Sequence, residues 1–412
     1  MRKHSLVGLL LFILVGLALL AQQLAVESTV INIEVPVRVY KGSRFVDYLT
    51  INDFDIYEDG KLQKLEAVYL VKKRAIERRD ELTRFVPQTN RNFYLLFEIS
   101  DYSDKIGKAV DFFIQNVIMP GDTLTIVSPM ATYRMKAKSF ETLTREKITE
   151  QLVSILRRDA LTGSAEYRSV IADLETLAKA LADKVTDYQD FTSEQFLESM
   201  TSLTFKDTPF DETLNHFAIT LSNLDRLRVM DQAKLLDFSK ILKNEPGQKY
   251  VYLFYQREFV PKIEPRILYA YIERYQERPD LNQTIQGIFE FYRRDVLIDV
   301  EAVKQAYADS SVAIHFLLVT TPPRRVPGVV YHEQSEDIFS TFKDMAQATG
   351  GFTQSSADAA YLMKHAVESS ENYYLLYYTP RPYTKDGKFR EIVVKVKDKD
   401  CRVTHRFGYY AN

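Results

Sequence analysis

The sequence predicts an α/β fold class: a doubly wound, mostly parallel sheet joined to a β-sandwich formed from the N- and C-terminal strands. Three observations predict it. Continuous apolar runs at Phe93–Glu98, Thr123–Val127, Lys249–Tyr255 and Ser311–Val319 mark strands covered on both faces. Segments with helical spacing separate those runs, as in parallel strands linked by crossovers. Alternating β segments stand before residue 72 and after residue 372. Each group is too small to bury a sandwich alone, and together they supply about seven strands, the number a small sandwich needs.

The elements follow in order. Val30–Tyr40 alternates apolar and polar residues and is rich in Val, Ile and Tyr, a strand signature. Phe45–Leu49, Asp53–Tyr57 and Leu65–Val71 are further strands, with a hairpin turn at Glu58-Asp59-Gly60. Lys72–Asn90 carries mixed charge and reads as a partly helical, solvated linker; contact with an anionic membrane surface is the sharper alternative. Apolar residues at Ile106, Val110, Phe113 and Ile114 predict a helix over Asp101–Val117. Helices are expected at Glu141–Arg158, Arg168–Ala182, Phe217–Leu242, Val300–Ala308, Ile338–Ala348 and Ala357–Ser369. The stretch between the second and third buried strands far exceeds the dozen or so residues that a crossover needs. Part of it, near 160–215, reads as a helical insertion. From Tyr373 the β pattern returns. Its paired tyrosines, Tyr373-Tyr374 and Tyr377-Tyr378, place one face in a core and leave the other for a partner surface.

The organisation is therefore residues 1–25 as a signal peptide or signal anchor, 28–72 with 372–412 as the sandwich, 73–90 as linker, and 91–371 as the α/β domain. The first segment is a basic start, Arg2-Lys3-His4, followed by the apolar run Leu6–Ala21. That pattern reads as an export signal, cleaved after Ala21 or retained as an anchor. The protein is expected to be exported, in the periplasm or outside the cell, touching membrane only through an uncleaved N-terminal segment.

Composition narrows the function. The 412 residues are 46% hydrophobic and 27% charged, which excludes a disordered chain. A net charge of −2 provides no basic field for nucleic acid. The single cysteine, Cys401, excludes an intrachain disulfide and a cysteine-cluster metal site. No His-x-x-x-His pair, nucleophile elbow or phosphate loop occurs. His315 lies in a buried strand and reads as a satisfied core histidine, and His332-Glu333 as a solvated loop.

Several segments in order resemble the von Willebrand factor A-related domain of exported bacterial, acidobacterial-type proteins. They are Asp53–Gln63 (DFDIYEDGKLQ), Arg91–Ser100 (RNFYLLFEIS), Met119–Val127 (MPGDTLTIV), Pro246–Arg257 (PGQKYVYLFYQR), Ala348–Gly351, and the C-terminal Tyr373–Pro380, Asp386–Val396 and Gly408-Tyr409-Tyr410. The resemblance implies a doubly wound domain of von Willebrand factor A type, with a metal-ion-dependent adhesion site at the carboxyl end of the sheet. Carried over by position, Glu98 takes the family's Asp place, Ser100 its first Ser, Tyr102 its second Ser and Gln256 its last Asp. Mg²⁺ asks for hard oxygens in near-octahedral geometry, and these replacements make the site degenerate. A shifted trio, Asp101, Ser103 and Asp104, suits capping of the next helix better than metal. The expected function is a non-enzymatic, exported protein-protein interaction module without cofactor. It would present Asp101, Tyr102, Gln256 and Arg257 to a protein partner. A Mg²⁺-dependent adhesion or assembly domain using Glu98 and Ser100 is the alternative, and an enzyme of unassigned chemistry the third reading.

Overall fold

The computed structural model describes residues 31–135, 137–186, 208–228, 231–274, 276–292, 298–323, 325–326 and 329–412. The expected export segment, 1–25, and part of the expected insertion, 187–207, lie outside the described residues. No helix among the described residues is long and apolar enough to cross a membrane.

The first strands are β1 (Ile33–Lys41), β2 (Arg44–Phe45), β3 (Phe54–Glu58), β4 (Lys61–Gln63), β5 (Leu65–Lys72) and β6 (Ala75–Glu81). The middle holds β7 (Arg91–Glu98), β8 (Thr123–Val127), β9 (Thr132–Met135), β10 (Gln248–Gln256), β11 (Phe259–Lys262), β12 (Val312–Val319), β13 (Val330–Glu333) and β14 (Thr353–Ser356). The chain closes with β15 (Asn372–Tyr378), β16 (Phe389–Val396), β17 (Arg402–His405) and β18 (Gly408–Tyr410). The described helices begin with α1 (Asp104–Asn116), α2 (Ala137–Thr142), α3 (Arg145–Gly163), α4 (Ala165–Thr186), α5 (Phe210–Leu227) and α6 (Gln232–Asn244). They continue with α7 (Pro265–Arg274), α8 (Pro279–Phe291), α9 (Val300–Asp309), α10 (Glu336–Ala348) and α11 (Ala359–Glu368).

The chain ends build one antiparallel body. A 6-stranded sheet runs β17-β1-β15-β5-β6, with β2 on β1, and a 4-stranded sheet runs β18-β16-β3-β4. The final segment passes from the first sheet as β17 to the second as β18, and Ile392 N–H reaches Phe407 O at 2.6 Å across the corner. The assembly is thus a curled antiparallel sheet. Inside it, Val35, Val37, Ile56, Val68 and Leu70 meet Tyr374, Leu376, Tyr378 and Ile392. The β3–β4 hairpin turns on Asp59 and Gly60, both at positive φ, as a two-residue turn matched to strand twist requires. Buried tyrosine hydroxyls need partners. Tyr378 and Tyr409 both donate to Glu58 Oε2, at 2.6 and 2.9 Å.

Residues 73–90 are not a partly helical linker. β6 pairs with β5, and beyond it Phe85 stacks on Tyr377 at 4.6 Å. An edge strand can point its charges to water, which is why a charged run folds as β here. This segment also covers Tyr373, Tyr377 and Tyr69, so the second tyrosine face is core rather than a partner surface.

The middle of the chain forms a 6-stranded mixed sheet, β14-β12-β10-β7-β8-β9. Its pairs are parallel except β8–β9, the antiparallel edge. β7 alternates Phe93, Leu95 and Phe97 toward α1, α3 and α11, while Tyr94 faces α6. Gly351 lets the chain pass against β12, since a Cβ there would stand 1.7 Å from Ile314 O. A separate helical core joins α4, α5, α7 and α8 over Val260 and Ile263 of the β11 segment.

This corrects the expected fold class. The molecule is mixed α/β with mostly antiparallel sheets. Parallel pairing is confined to the one mixed sheet, and every pairing in the other sheets is antiparallel. A doubly wound, mostly parallel fold of von Willebrand factor A type does not describe it, nor does a small seven-strand sandwich. Apolar runs report burial on both faces, whereas strand direction is set by partners far away in sequence.

Candidate functional site

The candidate site lies at the carboxyl end of the mixed sheet, where the loops after β7 and β10 meet α4. Parallel strands end there together, so their loops converge on one place. The cleft has a volume of about 170 Å³ and is lined by Ser100, Asp101, Tyr167, Arg168, Gln256 and Glu258, among others.

Gln256 closes β10 and is buried. Its Oε1 accepts from the Ser100 and Asp101 amides, each at 3.0 Å, and lies 3.4 Å from Ser100 Oγ. Ser100 O in turn accepts from Ser164 Oγ at 2.6 Å and Arg168 Nη1 at 2.9 Å. The end of β7 is therefore held from both sides, by β10 and by the α3–α4 junction. Asp101 is exposed beside this lock.

The floor is a buried polar network. Glu258 accepts from Arg228 Nε at 2.5 Å and Tyr255 OH at 2.8 Å, and Arg228 Nη2 donates to Gln334 O at 3.0 Å. Burial works against the Arg228 charge, and the Glu258 carboxylate together with the Tyr255 and Tyr167 phenols outweighs it, so the guanidinium pKa is raised. Burial raises the Tyr167 and Tyr255 phenols, and Glu258 adds to both. Arg257 Nε pairs with Glu333 Oε1 at 2.7 Å, and Tyr331 OH donates to Glu175 Oε1 at 2.8 Å. His332-Glu333 is thus strand rather than solvated loop, and His332 packs edge-on to Tyr292 at 5.4 Å.

Of the residues singled out in the sequence, Ser100, Asp101, Gln256 and Arg257 line this cleft together. Tyr102 turns away: its Oη sits against Gly107, and Arg157 lies over its ring at 5.0 Å. Ser103 is the N-cap residue of α1, yet its side chain makes no cap hydrogen bond. Asp104 pairs with Arg157 at 3.1 Å. Glu98 keeps access to solvent, but the surrounding protein raises its carboxyl pKa, and the Glu258 charge adds to this. Tyr167, Arg168, Glu175, Arg228, Glu258 and Tyr331 escaped the sequence reading. Glu258, two residues past Gln256, carried a signal; the others come from the helical segment and β13, whose position local pattern does not reveal.

These positions do not fit a Mg²⁺ site. Gln256 commits its carbonyl oxygen to two amides, Tyr102 removes its oxygen to α1, and Glu98 and Ser100 alone cannot build an octahedral oxygen shell. Among the described residues, no cluster of three or more His, Cys, Asp or Glu could hold a metal. Ser100 Oγ meets a carboxamide, which is not a base that could activate it.

No family model matches the chain, and no curated protein matches it. Among solved structures, the human COPII-coat protein Sec24c is similar at 8% identity and a TM-score of 0.25, over 79% of this chain and 44% of that one. This chain thus spans less than half of that protein's length, and a likeness of this size carries no inference about fold or function.

Proposed function

We propose that the protein is an exported, non-enzymatic interaction module that meets a protein partner with the loops after β7 and β10. The observation that carries this reading is the Gln256 lock, which ties the Ser100-Asp101 turn to β10 and leaves Asp101 exposed. A surface arranged in advance loses little freedom on association. The charges of the cleft engage one another, as in Arg228–Glu258 and Arg257–Glu333, which suits a fixed recognition surface better than proton transfer. The apolar run Leu6–Ala21 supports an exported location.

The test places a photo-crosslinking residue at Asp101 and, as a control, at the exposed Glu150 on α3. Envelope material should give a discrete protein adduct at 101 and none at 150. Gln256→Ala, which frees the turn, should weaken the adducted complex about tenfold, equivalent to ~1.4 kcal/mol. An adduct at 150 alone, or no change with Gln256→Ala, would overturn the assignment.

A further inference from the structure

A second, smaller cavity lies at the opposite, amino end of the mixed sheet, where β10 and β12 begin against β1 and the chain after β17. Arg38, Gln248, Lys249, Thr349 and Arg406 help to line it, and no carboxylate does. It has room for a single particle of about the size of water.

Its three cations are almost completely buried: Arg38 is 3% exposed, Lys249 6% and Arg406 7%. Their hydrogen bonds go to neutral groups, the Tyr250 phenol beside Arg38 among them. Arg38 Nη1 donates to Gly350 O at 3.3 Å, Arg406 Nη2 to Glu34 O at 2.7 Å and Lys249 Nζ to Glu245 O at 3.1 Å. The Nε atoms of Arg38 and Arg406 are buried without a hydrogen-bond partner. The nearby carboxylates are engaged elsewhere. Glu34 accepts from Gln248 Nε2 at 2.9 Å and from Tyr377 OH, and Asp309 pairs with Lys243 at 2.6 Å. A buried cation without a counter-charge is strongly destabilising. Burial and the Arg406 charge pull the Lys249 ammonium down to about 8, and burial pulls Arg406 below its ordinary value.

We propose that this space binds one small monovalent inorganic anion of the halide class, held among Arg38, Lys249 and Arg406. Water fits the space but brings no charge to offset three cations. Phosphate, sulfate and organic carboxylates are larger than the space. The anion would stitch the antiparallel body, through Arg38 and Arg406, to the mixed sheet, through Lys249. Of the titratable groups, Arg38, Lys249, Tyr250 and Arg406 line the space. Behind them, Glu34 and Glu245 act on Lys249 through space, Glu34, Asp309, Tyr378 and Tyr409 act on Arg406, and His315 lies within reach of the Arg38 charge. Lys249 is the group that titrates nearest neutrality among the cations, so halide binding should weaken above pH 8 as that ammonium is lost.

The experiment compares unfolding of the full chain in sodium chloride, sodium bromide and sodium gluconate at one ionic strength. Halide at about 100 times its dissociation constant should lower the unfolding equilibrium constant about 100-fold relative to gluconate, saturably, and less at pH 9.5 than at pH 7. Arg406→Gln and Lys249→Met should lose the halide dependence, while Arg278→Gln, at an exposed pair, should keep it. Should the cavity variants fail to fold, chloride-35 line broadening by the unaltered protein, reversed by bromide, carries the test. Identical unfolding in chloride and gluconate without line broadening would mean a water only and overturn the proposal. So would a saturable halide effect that survives Arg406→Gln.

Discussion

His315 shows what burial costs at a single position. It is 1% exposed, its ring stacks on Tyr252 at 4.9 Å, and neither ring nitrogen has a hydrogen-bond partner. The sequence marked it as core, and correctly so, but as a satisfied histidine, which it is not. Burial, and then the Arg38 charge, pulls its pKa well below 6.5. The folded protein therefore keeps it neutral, while the unfolded chain takes up a proton below about pH 6.5. The unfolded state binds more protons there, so stability present above that pH is lost as the solution is acidified. His405 is depressed by burial as well and acts in the same direction. His315→Phe should raise stability by about 1 kcal/mol at pH 7.5, because an unsatisfied polar group leaves the core. It should also flatten the decline between pH 6.5 and 5. Urea unfolding at both pH values checks this; a less stable variant with an unchanged decline would refute it.

At the scale of elements, the turn before β8 shows how one charge can hold two strands. Asp122 and Arg91 are buried, with Arg91 Nη2 at 2.5 Å from Asp122 Oδ2, and Met119 N–H donates to the same carboxylate at 2.8 Å. Arg91 also donates to Val117 O at 2.9 Å, so the end of α1, the turn and the start of β7 share one anchor. Adjacent Pro120 and Gly121 give Met119-Pro120-Gly121-Asp122 the composition of a turn. Its role as a buried anchor is not legible there, because Arg91 stands on a different strand. Asp122→Ala leaves the Arg91 charge buried and uncompensated, and should cost about 3–5 kcal/mol. The double variant Arg91→Met with Asp122→Leu should recover most of that loss. Denaturant unfolding of the single and double variants measures both, and additive losses would show that the pair does not act as a unit. Residues 73–90 teach the complementary lesson. Their charge pattern suits a solvated segment, yet the open edge of β5 recruits Ala75–Glu81 as β6.

For the whole molecule, the decisive feature is that the two chain ends interleave. β15 lies between β1 and β5, and β16 pairs with β3. Removing residues 373–412 takes away the centre of the larger antiparallel sheet and uncovers Val35, Val37, Ile56 and Leu70. Hydrogen exchange on the truncated protein should therefore show Ile33–Lys72 losing the protection they have in the full chain. Full-length protection of those strands without the C-terminal segment would mean that the N-terminal strands fold by themselves. The mixed sheet keeps its own two cores, so β7, β10 and β12 should suffer less.

Local pattern was enough to place most strands and helices, because apolar runs and 3.6-residue spacing report directly which faces are buried. The grouping of Ser100, Asp101, Gln256 and Arg257 at one end of one sheet came instead from the resemblance, carried over by position, and in the structure those four residues line one cleft. Three things were decided only by tertiary structure. The first is strand direction, hence the mainly antiparallel fold, because pairing joins residues hundreds of positions apart, as Val37 with Tyr374. The second is side-chain direction at the site: Tyr102 packs on α1, and Gln256 binds backbone amides, because neighbours from other elements outbid local preference. The third is the buried electrostatics of Glu258, Arg228 and the Arg38–Lys249–Arg406 cavity. Charges separated in sequence become costly only when folding withdraws them together from water.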